Sequence, residues 1–236
     1  MGSQPQISID TDKSKASNKK AVIWDMDGII VDTAQYHHKG WQIVFQKRGA
    51  NYTKADFWRN TGKRSDAIIR SILGEKISQG EIMAIIQEKD ENFRQLMRQN
   101  IRPFPGVIKL ITSLKEHGFK IAIASSAPME NIQLITRNLK IHNRFDVIVT
   151  GWEVTIGKPD PQTFLLTAEK LGVETKNCIV IEDAISGVTA SKRAGMHCIA
   201  VTNTTPREEL READLVIDTL EEITVADLDR LLHQYK

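Results

Sequence analysis

Six short apolar runs, separated by helical patterns, constrain the fold of this chain more than any other feature of its sequence. Each run holds three or four apolar residues and is bounded by polar or turn-forming residues. Runs of this length are typical of strands buried on both faces, as in a parallel sheet. Together they predict an α/β fold, a Rossmann-like doubly wound parallel sheet with helices on both faces. The runs cover residues 21–24, 120–124, 146–149, 178–181, 198–201 and 215–217, the last as an edge strand.

The composition argues against several classes of partner. The chain has 236 residues, of which 41% are hydrophobic, which is enough for a large core. Its net charge is +2, and it has no basic stripe interleaved with aromatic residues, so we expect neither nucleic acid nor a membrane as partner. No apolar segment has the length of a signal peptide or a membrane span, and no protein partner is implied. Cys178 and Cys198 begin apolar runs and are interpreted as buried free thiols, which predicts a cytoplasmic protein.

The chain divides into a leader, a core and an insert. Residues 1–19 are polar and are expected to form a disordered leader. Residues 33–101 contain helical patterns and no convincing strand, which predicts an all-helical cap. Thr33 is predicted to cap its first helix, and Ser78 with Glu81 forms a capping box before its longest one. The α/β core would then consist of residues 20–32 and 102–236.

The first strand runs directly into Asp25-Met26-Asp27-Gly28. Ligands of parallel sheets bind beyond the carboxyl ends of the strands, so both carboxylates are placed where a ligand would sit. Residues i and i+2 of an extended chain face the same side, so Asp25 and Asp27 can address one reacting group. Such a pair suits either a nucleophile beside a general acid or two ligands of a metal ion.

Further polar side chains follow other strands: Ser125, Lys158, Glu182 and Asp183. Each has an ordinary explanation, such as a helix cap, a surface charge or a solvated turn. A parallel sheet, however, brings all these strand ends to one edge. There they would provide a carboxylate nucleophile, a second acid, a hydroxyl and an ammonium for phosphate oxygens, and carboxylates for a hard cation such as Mg²⁺. The combination predicts a phosphoryl-transfer site.

With these four motifs the sequence resembles the haloacid dehalogenase superfamily, in the subgroup that has a helical cap after the first strand. The resemblance implies that Asp25 attacks phosphorus and that Asp27 protonates the leaving oxygen and later activates water. Ser125 and Lys158 would hold the phosphoryl oxygens. Mg²⁺ would be bound by Asp25, the Asp27 carbonyl and Asp183, with Glu182 as a ligand or in support of one.

Within the superfamily the chain is similar to the β-phosphoglucomutase branch and its phosphatase relatives. The segment from Asp32 to His37, followed by Trp41, resembles the mutase hinge. Ala127-Pro128, however, replaces a Ser-Lys pair that engages sugar phosphate in the mutase. The resemblance therefore implies a phosphatase of small phosphorylated metabolites such as sugar phosphates, with the mutase reaction as the alternative. The predicted substrate-binding residues are Thr33, His37, Arg64, Lys89 and Ser126.

Two further alternatives stay open at this point. One is a non-catalytic or phospho-signalling domain, although receiver domains are about half this length and have a different order of acidic residues. The other concerns Lys89, which lies in the middle of the apolar stripe of its helix, where a charge is costly unless it is paired. Its side chain could reach water, pair with a carboxylate of the cap or project towards the active site.

Overall fold

A computed structural model describes residues 19–60 and 63–233. It contains a six-stranded, all-parallel sheet of order β3-β2-β1-β4-β5-β6, which confirms the predicted fold class and the edge position of the last strand. Except for Lys19, the predicted leader lies outside the described residues. The strands are β1 Ala21–Trp24, β2 Lys120–Ala124, β3 Val147–Val149, β4 Cys178–Glu182, β5 His197–Val201 and β6 Leu215–Ile217.

The register of the central strands determines where the functional side chains meet. Trp24 at the end of β1 is aligned with Ile123 of β2 and with Ile181 of β4. The Asp25 N–H continues the ladder by donating to the Ile181 carbonyl at 3.0 Å. The residues that follow β1, β2 and β4 therefore leave the sheet side by side at its carboxyl edge.

Helices cover both faces of the sheet because its strands are apolar on both sides. The helices are α1 Ala34–Gln46, α2 Lys54–Asn60, α3 Ser65–Leu73, α4 Gln79–Met97, α5 Val107–Glu116, α6 Met129–Asn138, α7 Gln162–Leu171, α8 Ile185–Arg193 and α9 Val225–His233. Val22 and Trp24 face a core shared with α5, α6 and α9, whereas Ala21 and Ile23 face α7 and α8. Among the described residues, no helix is both long and apolar enough to cross a bilayer.

Helices α1–α4 pack around a hydrophobic cluster of their own, which includes Trp41, Tyr52 and Ile82. The predicted capping box of Ser78 and Glu81 begins α4, and the far end of this helix joins the main core through Phe93 and Met97. The chain enters and leaves this helical layer side by side, since Val31 bridges Pro103. We refer to α1–α4 and their connections as the cap.

Two local predictions for the cap need correction. Thr33 occupies the N-cap position of α1, but its side chain makes no capping hydrogen bond. Its backbone is already helical (φ −108°, ψ −12°), whereas capping side chains need an extended N-cap residue. Helix α2 was not predicted, although Thr53 and Asp56 exchange side-chain and backbone hydrogen bonds at its start, a signal that is visible in the sequence.

Candidate active site

Lys158 joins the ends of three strands at the carboxyl edge of the sheet. Its Nζ donates to Asp25 Oδ1 and to Glu182 Oε1, both at 2.6 Å. A third contact, at 3.3 Å, reaches the carbonyl of Ala124 at the end of β2. The lysine side chain is 8% exposed, so both ion pairs are shielded from water. The predicted convergence of Asp25, Lys158 and Glu182 is therefore present in the structure.

Both carboxylate oxygens of Glu182 are engaged within the protein. Oε1 accepts from Lys158, and Oε2 accepts from the backbone N–H groups of Asp183 and Ala184 at 2.9 and 3.0 Å. A Cβ atom at Gly187 would lie 1.8 Å from Oε1, so only glycine leaves room for this carboxylate. This geometry suits a residue that positions Lys158 better than one that binds a metal directly.

Asp183 is held by residues that the sequence analysis did not single out. The hydroxyl of Thr204, in the loop after β5, donates to Asp183 Oδ2. Asn203 donates to the Gly28 carbonyl at 2.7 Å, which fixes the turn after the first motif. Gly28 has φ +87°, and a Cβ there would lie 2.0 Å from Asp183 Oδ2. The rule that polar residues after buried strands form the site, applied to β5, would have found Asn203 and Thr204.

The buried charges at this edge do not balance. Asp25, Glu182 and Asp183 are at most 7% exposed, and the ammonium of Lys158 bonds to Asp25 and Glu182 but not to Asp183. Burial, opposed by Lys158 and reinforced by Glu182, raises the pKa of Asp25 to about 7. Burial and the neighbouring Glu182 and Asp25 raise the pKa of Asp183 well above its usual value. When all three carboxylates are ionised, they and Lys158 carry a net charge of −2, which one divalent cation would neutralise. Without such a cation, the raised pKa values of Asp25 and Asp183 favour protonation, which reduces the same excess.

These residues fit a magnesium ion. Mg²⁺ prefers oxygen ligands and uses few protein groups, completing its octahedron with water and phosphate. Among the described residues no three Asp, Glu, His or Cys side chains form a metal-binding group, so a cation here would depend on that kind of completion. The carboxylates of Asp25 and Asp183 and the backbone carbonyl of Asp27 are the groups that would hold it.

Asp27 faces the cap rather than Lys158. His37 Nε2 lies 3.3 Å from Asp27 Oδ1, and the imidazole stacks on Phe93 at 4.1 Å. Burial alone would raise the pKa of Asp27, but hydrogen bonds from His37 and Thr33 outweigh it and lower that pKa. Thr33 thus contacts the site instead of capping α1. Burial, together with the nearby Lys89, lowers the pKa of His37, which favours a neutral imidazole.

Ser125 and Ser126 form the turn after β2. The buried Ser125 Oγ accepts from the Ala127 N–H at 3.1 Å, which leaves its own hydroxyl hydrogen available for a ligand. Ser126 is exposed and lines the cavity above the site. A Cβ at Gly151 would lie 2.5 Å from the Ser126 carbonyl, so glycine is required where this turn meets the loop after β3.

The side chain of Lys89 pairs with a carboxylate of the cap and also lies at the active-site cavity, which are two of its three predicted positions. The third, in which the ammonium reaches bulk water, is not observed. Lys89 is 8% exposed, so its ammonium does not reach bulk water. Its Nζ donates to Asp90 at 2.9 Å, and the residue also lines the cavity near Asp27. Asn131 of α6 donates to Asp90 at 3.4 Å and accepts from Arg94 at 3.1 Å, which links the cap to the core. The role of Asp90 was not anticipated from the sequence.

A cavity of about 650 Å³ lies between the cap and the carboxyl edge of the sheet. Arg64 lines it at the start of α3, where its guanidinium contacts Asp66 and donates to the Thr155 carbonyl of the core at 3.3 Å. Six of the predicted site residues line its wall, and Asp25 and Glu182 contact Lys158 from behind it. The six are Asp27, His37, Arg64, Lys89, Ser126 and Lys158.

Comparison with known proteins agrees with this geometry. Residues 22–201 match the family model described as haloacid dehalogenase-like hydrolase. The chain belongs to this family. This hydrolase is 32% identical to β-phosphoglucomutase of Bacillus subtilis over 92% of its own length and 97% of the relative. It is 31% identical to hexitol phosphatase A of Escherichia coli, covering 87% and 94% of the two chains.

Solved structures show the same architecture. The hydrolase superposes on β-phosphoglucomutase from Clostridium difficile with a TM-score of 0.83 and 28% identity, over 92% of this chain and 99% of the other. Because the members of this family are enzymes, the alternative interpretation as a non-catalytic or phospho-signalling domain is no longer favoured.

Proposed function

We propose that this hydrolase is a phosphatase that releases inorganic phosphate from small phosphorylated metabolites, sugar phosphates above all. The observation that carries the proposal is the buried ammonium of Lys158, shared by Asp25 and Glu182 beneath a cavity of about 650 Å³. A carboxylate held by a lysine at the floor of such a cavity can attack a phosphoryl group whose charge the lysine partly neutralises.

In the proposed reaction Asp25 attacks phosphorus and displaces the alcohol, which forms an aspartyl-phosphate. Asp27 must carry a proton when the ester binds, although His37 and Thr33 lower its pKa in the free enzyme against the effect of burial. It gives that proton to the leaving oxygen and then takes one from the water that hydrolyses the aspartyl-phosphate. Ser125 and Lys158 hold phosphoryl oxygens, and Asp25 returns to its free form, so one ester and one water become one alcohol and one phosphate. Mg²⁺, when bound, would supply positive charge against the phosphoryl oxygens.

A phosphatase fits the cavity wall better than a mutase. A phosphosugar mutase must hold a second phosphate away from the reacting one. At the wall next to Ser126, Ala127 has no polar side chain, and Pro128 has neither a polar side chain nor a backbone N–H. The phosphatase named among the relatives supports the same choice.

The mutase stays the second candidate because of one contact. His37 lies 3.3 Å from Asp27, with Lys89 close to both, so two side chains of the cap act on the predicted acid. The similarity to β-phosphoglucomutase of Bacillus subtilis also favours it. Arg64, at the cavity wall, would then be a candidate for holding the second phosphate.

Phosphate release tests the proposed function. We expect the wild-type enzyme with Mg²⁺ to release phosphate from members of a panel of sugar and polyol phosphates. Asp25→Asn should fold, melt close to the wild type and lose nearly all activity, because the amide is a poor nucleophile. Activity of this variant within about tenfold of wild type, a barrier change of about 1.4 kcal/mol, would remove Asp25 from the role of nucleophile.

Glucose 1-phosphate separates the two candidate reactions. A phosphatase should produce glucose and free phosphate in equal amounts. Accumulation of glucose 6-phosphate with little free phosphate, primed by glucose 1,6-bisphosphate, would establish the mutase instead. Both products can be followed in one reaction by enzymatic detection of glucose 6-phosphate and colorimetric detection of phosphate.

We also place the enzyme in the cytoplasm. Cys178 and Cys198 are buried free thiols, and burial raises the pKa of each to about 12. Unreactive free thiols are usual in a reducing compartment. Detection of the native protein by cell fractionation would test this assignment.

A further inference from the structure

The cap wall of the cavity contains a buried hydroxyl without a partner. Tyr52 is 1% exposed and lines the cavity. Its Oη makes no hydrogen bond of normal geometry with any described residue. The Asn60 side chain lies close enough to lower the pKa of the hydroxyl, but burial outweighs it and raises that pKa. Buried hydroxyls normally have a hydrogen-bond partner, so this one is available to a group other than those of the described residues.

A second unpartnered polar atom lies in the same part of the cap. His38 Nε2 is buried and has no hydrogen-bond partner among the described residues. Its ring packs 6.2 Å from the Tyr52 ring and 5.7 Å from that of Phe57. Asn60, which is 5% exposed, also lines the cavity close to Tyr52. Tyr52 and Asn60 therefore place two polar side chains at one part of the wall, and His38 packs against Tyr52 without lining the cavity itself.

The surroundings of Tyr52 indicate which kind of group would bind there. The side chains around this part of the cavity are mostly apolar, so a hydroxyl or amide here makes a contact well shielded from water. They are Trp41, Phe57, Ile68, Ile82, Met83 and Ile86.

Two of the cations at the wall already have carboxylate partners. Lys89 is paired with Asp90 and Arg64 with Asp66. Lys63 donates to the amide oxygen of Asn60 at 3.0 Å, which leaves the amide nitrogen of Asn60 as a donor. A neutral hydroxyl can both accept from and donate to such groups, and it suits the apolar surroundings of Tyr52 better than an anionic group, for which the exposed Lys63 would be the nearby cation.

We propose that Tyr52, with Asn60 beside it, recognises a neutral hydroxyl group on the leaving group of the substrate. The substrate class is then a monophosphate ester of a sugar or polyol, oriented with phosphate at Asp25 and a remote hydroxyl at Tyr52. This inference rests on the proposed phosphatase function and adds the residue that selects the alcohol. Tyr52 would be a specificity-determining residue, without a part in the chemical steps.

Tyr52→Phe tests the inference because it removes one oxygen atom and retains the ring. The probes are sorbitol 6-phosphate, fructose 1-phosphate and glucose 1-phosphate, compared with phenyl phosphate, whose leaving group has no further hydroxyl. For the best hydroxylated probe we expect kcat/KM to fall roughly 2- to 12-fold, which is the range for one neutral hydrogen bond. The loss should lie mainly in KM, and phenyl phosphate should be turned over as by wild type.

Tyr36→Phe is the matched control. Tyr36 packs against the main core and does not line the cavity, so its variant should keep wild-type kinetics on all probes. Tyr52→Phe should melt no lower than wild type, because the removed hydroxyl has no hydrogen-bond partner among residues 19–60 and 63–233. A normal melting temperature together with a substrate-dependent loss would separate recognition from a structural role.

Three results would overturn the inference. The first is unchanged kinetics of Tyr52→Phe on every hydroxylated probe, and the second is an equal loss on phenyl phosphate. The third is a wild-type preference for a sugar bisphosphate over the monophosphates. A wild-type enzyme that releases phosphate from none of the esters would contradict the proposed function itself, and the Asp25→Asn comparison detects that case separately.

Discussion

Replacing Lys158 by methionine is the most direct test of the charge arrangement at the sheet edge. The substitution keeps an unbranched side chain of similar length but removes the ammonium. In the wild type this ammonium contacts Asp25 and Glu182 at 2.6 Å each, and Asp183 lies close enough to interact with both carboxylates. Lys158→Met therefore leaves three buried carboxylates without the cation that holds two of them.

The size of the effect follows from the burial of these groups. The side chains of Lys158, Asp25 and Glu182 are 8%, 9% and 2% exposed, so solvent screens them little. Removing one partner of a buried ion pair destabilises a protein by about 3–5 kcal/mol. For a chain of this size 1 kcal/mol corresponds to about 2–4 °C, so we expect the melting temperature to fall by about 6–20 °C.

Thermal melting followed by circular dichroism, in EDTA, measures this effect. The matched control is Lys192→Met. Lys192 pairs with Asp214 at 2.7 Å, but its side chain is 36% exposed. Such a pair contributes about 0–1 kcal/mol, so the control should melt within about 4 °C of wild type. Adding Mg²⁺ should raise the melting temperature of Lys158→Met more than that of the control, since a divalent cation replaces the lost charge.

A Lys158→Met variant that melts as high as the Lys192→Met control would refute this reasoning. The three carboxylates would then have to be neutral or hydrated in the folded protein. The inferred excess of negative charge, and with it the structural support for a magnesium site, would be lost. Phosphatase activity alone could not reveal this, because the loss of a catalytic lysine abolishes turnover whatever its effect on stability.

The remaining predictions concern Asp27 and Lys89. Asp27→Asn should fold and lower kcat by roughly 10²- to 10⁴-fold, the usual contribution of general acid-base catalysis; a smaller loss, measured by phosphate release, would contradict its role as the acid. Lys89→Met should lower kcat/KM by about 13- to 160-fold, equivalent to 1.5–3 kcal/mol. It should also lower the melting temperature, because Asp90 stays buried with Asn131 as its remaining polar contact. In the double variant Lys89→Met/Asp90→Asn the melting temperature should recover but the activity should not. If both recovered, Lys89 would have only a structural role.

The sequence by itself determined the positions of the strands and of the four motifs. Apolar runs of about four residues predict buried strands, because both faces of a parallel sheet are covered by helices. The carboxyl ends of such strands share one edge, so Asp25, Ser125 and Glu182 could be assigned to one site without coordinates. The capping box of Ser78 and Glu81 was equally local and was confirmed.

Thr33 shows how a local signal can be overridden. A threonine before a helical pattern favours capping, but capping requires an extended backbone at that residue. The backbone of Thr33 is helical, and its side chain interacts with Asp27 instead. The connection into the cap dictates this conformation, and that connection is a tertiary feature.

Only the tertiary structure decided which groups touch. The pairing of Lys158 with Asp25 and Glu182, residues 133 and 24 positions away, depends on the path of a long loop. The link from Asp90 to Asn131 depends on how α4 lies on α6. Burial without a partner, as at the Tyr52 hydroxyl, is invisible to any pattern, because it is defined by every neighbour at once. Periodicity records which side of its own helix or strand a residue faces, whereas contacts between elements follow from how all of them pack.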